Sequence, residues 1–155
     1  MSTARFVNPP NVLGEATAKP GGVRVADALT KAAANLETIR IPSLDAMDDY
    51  IGQMEALCAE GGAQFSEDIA RKIYDLSNDV IGVAGVFGLD DLGAAAFSLC
   101  ELVDVFRSLG RWSQPAVMVH LSSFRLLRNT DSGADHASVL DGLHRLTNQA
   151  AAIAT

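Results

Sequence analysis

The residues of this chain best suited to chemistry are three histidines and two cysteines. An imidazole can accept a proton or a phosphoryl group, a thiolate is a nucleophile, and both residue types bind metals. His136 and His144 stand eight positions apart on one predicted helix, too far for a metal pair at i, i+4 spacing. Cys58 and Cys100 are too few and too widely spaced for a zinc site or a disulfide framework. The sequence therefore predicts two buried thiols in a reducing cytoplasm.

His120 lies in the apolar run Val117–Leu121, on the flank of a predicted helix face. This position favours a buried structural histidine, and the alternative is an unusual phosphoacceptor. The acidic clusters occur near predicted helix N-termini, where carboxylates interact favourably with the helix dipole. We therefore predict no metal site and no cofactor from these acids, which are Asp45, Asp48, Asp49, Asp90 and Asp91.

Three glycines at spacing three, Gly82, Gly85 and Gly88, interrupt a run that is otherwise strongly helical. Gly88 is typical of a helix C-terminus. Gly82 and Gly85 fall inside the helix, where a glycine costs about 1 kcal/mol relative to alanine. Since no strand precedes these glycines, they do not form a dinucleotide-binding fingerprint. They predict a place where a side chain would prevent the close approach of another molecule or helix.

The elements that position these residues are helices throughout. With 155 residues, of which 48% are hydrophobic and 20% charged, the chain fits one folded domain. Residues 1–22 are predicted to be a flexible tail, and residues 23–155 a single helical-bundle domain. Apolar spacing, capping residues, prolines and glycines predict helices over about 23–40, 43–61, 66–87, 90–109, 113–128 and 135–152.

The helix boundaries also predict how the helices pack. The first ends before Pro42, and Ser43 caps the second. Short connections between long helices imply antiparallel neighbours. The predicted fold class is all-α, an up-and-down antiparallel helix bundle with a four-helix core and additional helices.

The charge of the chain disfavours two classes of partner, nucleic acids and anionic membranes. A formal net charge of −7 disfavours nucleic acid, whose phosphates need a basic footprint, and disfavours an anionic membrane surface. The most apolar region, 80–100, contains Asp90 and Asp91 and should not span a bilayer. Because the N-terminus lacks an apolar segment of signal-peptide type, we expect a cytoplasmic protein.

The predicted helix over 66–87 has two different faces. On a helical wheel, its inner face carries Ile69, Ile73, Leu76, Val80, Val83, Ala84 and Phe87. A solvated outer face would be charged and rich in helix formers. This one instead consists of Arg71, Tyr74, Asn78, Ile81, Gly82 and Gly85. The composition predicts an interface, and the alternative is that another helix of the chain, such as 23–40, covers it.

The sequence around these glycines resembles the histidine phosphotransfer (Hpt) domain of bacterial two-component phosphorelays. The sequence pattern of that family is H-x-x-K-G, followed by two small residues and a glycine-leucine turn. A helix of the form L-x-x-L-C-x-x-L-E comes next. Gly82-Val83-Ala84 matches the glycine and the small pair, and Phe87-Gly88-Leu89 matches the turn. Leu92, Leu99 and Glu101 follow in roughly the right register. The likeness covers about residues 43–128 and implies a four-helix core.

The departures from the family change the implied function. The phosphoaccepting histidine falls at Asn78 and the neighbouring lysine at Ile81. An amide cannot carry a phosphoryl group, and no cation stands there to stabilise the moving charge. Asp79 is adjacent but points about 100° away. The resemblance therefore implies a non-catalytic module, an adaptor or inhibitor that binds a receiver domain or a histidine kinase through the outer face.

Two other hypotheses stay open at this point. One is an active phosphotransferase that uses His120 instead of Asn78. The other is an unrelated helical oligomerisation or scaffold protein, whose glycine face packs on its own copy to form a homo-oligomer. An enzyme is the less favoured reading of the sequence.

Overall fold

The computed structural model describes residues 10–18, 21–129 and 135–152, and these form α-helices joined by short connections, with no strand. The predicted all-α helix bundle is confirmed. The helices are α1 (Val12–Ala18), α2 (Val25–Gly61), α3 (Glu67–Phe87), α4 (Asp90–Leu109), α5 (Gln114–Arg128) and α6 (His136–Ala152). No helix in this part of the chain combines the length and apolar character needed to cross a membrane.

The predicted ends of α3 and α4 are confirmed by their capping geometry. Ser66 is extended and its Oγ accepts a hydrogen bond from the Ile69 N–H over 3.4 Å, which satisfies a donor of the first turn. Gly88 ends α3 and Gly110 ends α4, both in the left-handed conformation with φ of 71° and 57°. Only glycine adopts this conformation without steric cost, so these two residues set the helix ends.

The predicted break before Pro42 is wrong. Helix α2 continues through the proline, and Ser43, predicted to cap a second helix, lies inside α2. A proline removes its own amide donor, but the hydrogen bonds on either side of it can form. The apolar residues beyond it, Met47, Ile51 and Met54, are fully buried and stabilise the helix on that side.

The contacts within the chain divide it into two units, residues 1–39 and residues 40–155. In the first unit, the described residues include α1 and the beginning of α2, and every residue over 21–39 is exposed. The flexible tail expected over 1–22 contains helix α1, while residues 1–9 and 19–20 lie outside the described part. The single domain expected over 23–155 stays a prediction.

In the second unit, α2, α3, α4 and α5 form an antiparallel four-helix core. Gln114, at the start of α5, donates from Nε2 to the carbonyl oxygen of Cys58 near the end of α2, over 3.0 Å. Arg125, near the end of α5, donates to Glu55, one turn earlier in α2, over 2.9 Å. The contact that comes later in α5 comes earlier in α2, so the two helices are antiparallel, as an up-and-down bundle requires.

Helix α6 is a fifth helix packed on α4 and α5. At the beginning of α6, His136 Nδ1 lies 2.8 Å from Asp91 Oδ2. Further along, Thr147 Oγ1 lies 3.1 Å from Ser98 Oγ. The second contact lies further along both helices than the first, so α6 and α4 are parallel. The largest fully buried side chains of the bundle include Met47, Ile51, Met54, Ile73, Leu92, Leu99, Leu102, Leu121 and Phe124.

Candidate functional site

Helix α3 presents the two faces that the sequence predicts. Ile73, Val80 and Ala84 are fully buried, whereas Asn78 is exposed on the opposite side. Of the other predicted outer residues, Arg71, Gly82 and Gly85 are exposed. Tyr74 and Ile81 are half-buried and pack against the core, so these two lie between the inner and outer faces of α3. Four residues expected in the core are only half-buried, because they lie on the side of the inner face: Ile69, Leu76, Val83 and Phe87.

Sequence analysis missed the buried polar residue Ser77. Its hydroxyl donates to the Ile73 carbonyl over 2.8 Å and lies 3.3 Å from the sulfur of Met54. The bond within its own helix satisfies the hydroxyl, so a serine can occupy a fully buried position. One signal could have found it: Ser77 stands one turn before Val80, which the helical wheel places on the inner face.

Gly82 and Gly85 have no role in packing within the described residues. A Cβ atom built at either glycine meets no atom within 4 Å. By contrast, a Cβ at Gly93 of α4 would lie 3.6 Å from the Cβ of Ala84, where α3 and α4 approach each other. Within the described part of residues 40–155, no helix covers these two glycines, and the alternative that residues 23–40 cover the face stays a prediction. The helix-weakening effect of the two glycines is not offset by any contact inside the bundle.

The exposed surface extends from α3 onto α4. Gly93 faces Ala84, and the Sγ atom of Cys100 lies 3.8 Å from the carbonyl oxygen of Tyr74. Phe97, four positions after Gly93 and three before Cys100, shares their side of α4 and is 56% exposed. We call the surface formed by Tyr74, Asn78, Ile81, Gly82, Gly85 and Phe97 the α3–α4 face.

Phe97 is the member of the α3–α4 face that sequence reasoning did not find. Leu92, Leu99 and Phe106 fill the inner side of α4, and a wheel drawn through them places Phe97 outside. An exposed aromatic ring and exposed glycines on neighbouring helices are apolar surface of the kind that suits a protein partner.

Asn78, where the resemblance to the Hpt family predicts the phosphoacceptor, carries an amide. Asn78 Nδ2 donates to the Tyr74 carbonyl oxygen over 3.2 Å, so the side chain folds back onto its own helix. Ile81, where the resemblance predicts a lysine, is half-buried. Neither group can form a phosphoryl bond that later transfers, nor stabilise the charge of the moving phosphoryl group.

The cations near the α3–α4 face are paired with carboxylates. Arg71 Nη2 lies 3.0 Å from Asp68 Oδ1. Arg107 donates to Glu67 from Nε over 2.9 Å and from Nη2 over 2.7 Å. The hydrogen bond from Arg107 lowers the pKa of Glu67, and the same bond raises the pKa of Arg107. Arg71, predicted as a partner-binding residue, thus lies at the edge of the face beside an acid.

His120 is a buried structural residue. Its side chain is 0% exposed, with Nδ1 3.0 Å from the Ala116 carbonyl oxygen and Nε2 3.2 Å from Ser98 Oγ. Burial lowers its pKa, against the raising effect of the Ala116 bond. An imidazole enclosed in this way cannot reach an aspartyl phosphate on another protein. The geometry therefore contradicts the hypothesis of His120 as an exposed phosphoacceptor.

Among the described residues, the cysteines and acids form no reactive site. Cys58 and Cys100 are buried free thiols, as predicted, and burial raises the pKa of Cys100 to about 11. Such thiols stay protonated and unreactive at neutral pH. Within the described ranges, no group of three or more His, Cys, Asp or Glu side chains is placed to hold a metal ion.

Comparison of the chain with protein-family models, with curated proteins and with solved structures finds no match. A functional conclusion must therefore come from the residues and geometry of the chain itself.

Proposed function

We propose that this chain is a non-catalytic Hpt-like signalling module that binds a receiver domain or a histidine kinase of a bacterial two-component phosphorelay. The α3–α4 face is the binding surface. The observation that carries this proposal is the pair of exposed glycines, Gly82 and Gly85, on a helix where no contact of the bundle requires them.

The arrangement of the helices supports the proposal. The resemblance implies a four-helix core with the acceptor position outward on one helix, and here α2, α3, α4 and α5 pack antiparallel with Asn78 exposed on α3. The glycines and the ring of Phe97 then provide a surface on which a partner can approach the backbone of α3 closely.

The proposed module does not pass phosphate on. Asn78 offers an amide and Ile81 a hydrocarbon side chain, while the exposed Asp79 lies on another side of α3. Binding without transfer would make the chain an adaptor or an inhibitor that competes with an active phosphotransfer domain for its receiver. Such a role places it in the cytoplasm with its partner, with no enzyme activity of its own.

The test is a binding measurement with a matched pair of glycine variants. Proteins captured from the native cytoplasm by the full chain are identified by mass spectrometry, and the purified partner is then titrated. Gly82→Glu introduces a charged side chain on the α3–α4 face. Gly142→Glu is the control, because Gly142 is also an exposed helical glycine with nothing within 4 Å of an added Cβ.

We expect Gly82→Glu to weaken binding at least about tenfold, or by about 1.4 kcal/mol, and Gly142→Glu to leave it unchanged. Both variants should keep or slightly increase stability, since glutamate is the better helix former. Equal binding by Gly82→Glu and the wild type would contradict the proposal, as would the capture of partners without any receiver or kinase domain.

A self-associating scaffold protein is the second candidate, and the same uncovered glycines favour it. If two copies of α3 pack on each other, Gly85→Leu should reduce the mass in solution from a dimer to 16.3 kDa. The control is again a substitution of Gly142, here Gly142→Leu.

A further inference from the structure

The beginning of α2, over residues 25–39, has an apolar seam with the spacing of a coiled coil. Val25, Leu29, Ala32, Leu36 and Ile39 follow one another at intervals of four, three, four and three residues. This alternation averages 3.5 residues, the period at which two α-helices pack knobs into holes. Leu29 and Leu36 then occupy the a positions, and the others the d positions.

The seam is exposed in the structure. Val25 is 76% exposed, Leu29 65%, Leu36 44% and Ile39 48%. The opposite side of the same helix is polar, with Thr30 Oγ1 donating to the Ala26 carbonyl oxygen over 2.9 Å and Thr38 Oγ1 to that of Asn35 over 2.6 Å. An apolar seam opposite a polar face is the pattern of a helix that packs on one side.

The positions that flank the seam suit an identical partner. They are Ala26, Ala28, Ala33 and Asn35, which are short and uncharged. Charged flanking residues select partners by attraction or repulsion. Short, neutral ones permit two copies of the same helix to approach closely without like charges meeting.

The distribution of charge also favours self-association through this unit. Residues 1–39 contain four basic and three acidic residues, whereas residues 40–155 contain eight basic and sixteen acidic residues. Two copies of the acidic bundle repel each other, while two copies of the nearly neutral N-terminal unit do not.

From the spacing, exposure and charge together, we infer that residues 25–39 form a homodimer seam, in which the α2 helices of two copies pack through Leu29 and Leu36. The seam is two heptads long, shorter than the three or four heptads typical of independent coiled coils. The dimer is therefore expected to be weak and concentration-dependent.

The test is the mass of the full chain in solution, measured by sedimentation or light scattering from about 1 μM to about 1 mM. The wild type should change from 16.3 kDa toward twice that value as its concentration rises. Leu29→Glu with Leu36→Glu places acids at both a positions and should keep the chain at 16.3 kDa throughout. Thr30→Glu with Thr38→Glu adds the same charge on the polar face and should behave as the wild type.

A wild type that stays at 16.3 kDa to about 1 mM would overturn the inference. So would a dimer that persists in the double leucine variant, or one that the threonine control weakens equally. Because all four substituted side chains are exposed, each variant should retain the helical circular dichroism signal of the bundle. The result is also independent of the α3–α4 face, since Gly82→Glu should leave the monomer–dimer equilibrium unchanged.

Discussion

Ser98 Oγ lies 3.2 Å from His120 Nε2, and both side chains are fully buried between α4 and α5. Thr147 of α6 extends this group, with its Oγ1 3.1 Å from Ser98 Oγ. Three helices of the bundle are therefore joined through polar atoms within an apolar core. A buried cluster of hydrogen-bonded side chains stabilises the fold while each polar atom has a partner. It destabilises the fold when one of these atoms loses its partner.

Replacing His120 should destabilise the bundle strongly. His120→Ala leaves a cavity and removes one of the two side-chain partners of Ser98 Oγ, so we expect the free energy of unfolding to fall by about 2–4 kcal/mol. Urea denaturation at neutral pH measures this change. His144→Ala, at an exposed position on α6, is the control and should change stability by less than about 0.5 kcal/mol. A small effect at His120 would show that the hydrogen-bonded group is not formed.

Stability should decrease on mild acidification because of His120. Burial lowers its pKa in the folded state below the ordinary value of 6.5, so the unfolded chain binds a proton first as the pH falls. The free energy of unfolding should therefore decrease below about pH 6.5, by at most about 1.4 kcal/mol per pH unit, until the folded state is protonated.

The measurement is urea unfolding of the wild type and of His120→Gln at several pH values between about 5 and about 7.5. The glutamine does not titrate, so the difference in stability between the two proteins should narrow toward low pH. A difference that stays constant over this range would contradict the depressed pKa.

Two glycines of the same run should respond in opposite ways to alanine. Gly88 has a φ of 71°, where a Cβ is strained, so Gly88→Ala should reduce stability by about 1–2 kcal/mol. Gly82 is helical with open space around it, so Gly82→Ala should increase stability by about 1 kcal/mol. Denaturant midpoints give both values, and a loss of stability in Gly82→Ala would show that its surroundings are not open.

Introducing a histidine at Asn78 tests the proposed resemblance to a phosphotransfer domain. Asn78→His would place an imidazole on the exposed side, and adding Ile81→Lys would supply a cation one turn away. We expect acid-labile phosphate from a phosphorylated receiver to label the double variant, and the single variant more weakly. The wild type should remain unlabelled. Labelling of the wild type that disappears in His120→Gln would instead identify His120 as an acceptor.

The sequence by itself determined the helices after residue 61 and the residues that end α3 and α4. Gly88 and Gly110 end helices because only glycine tolerates the left-handed conformation, and Ser66 begins one because its hydroxyl accepts an amide hydrogen bond. The outward direction of Asn78 likewise followed from the 3.6-residue period of α3. These properties depend on neighbours within one or two turns, which a sequence displays directly.

Tertiary structure decided which side chains of neighbouring helices contact each other and which are buried. Whether Pro42 ends a helix depends on the burial of Met47 and Ile51 beyond it, and whether Phe97 joins the face depends on the packing of α4 on α3. The sequence favoured a buried His120 over a phosphoacceptor, and the packing places Ser98 Oγ 3.2 Å from its Nε2 and encloses the side chain fully. Contacts between residues distant along the chain arise from packing, which local patterns do not encode.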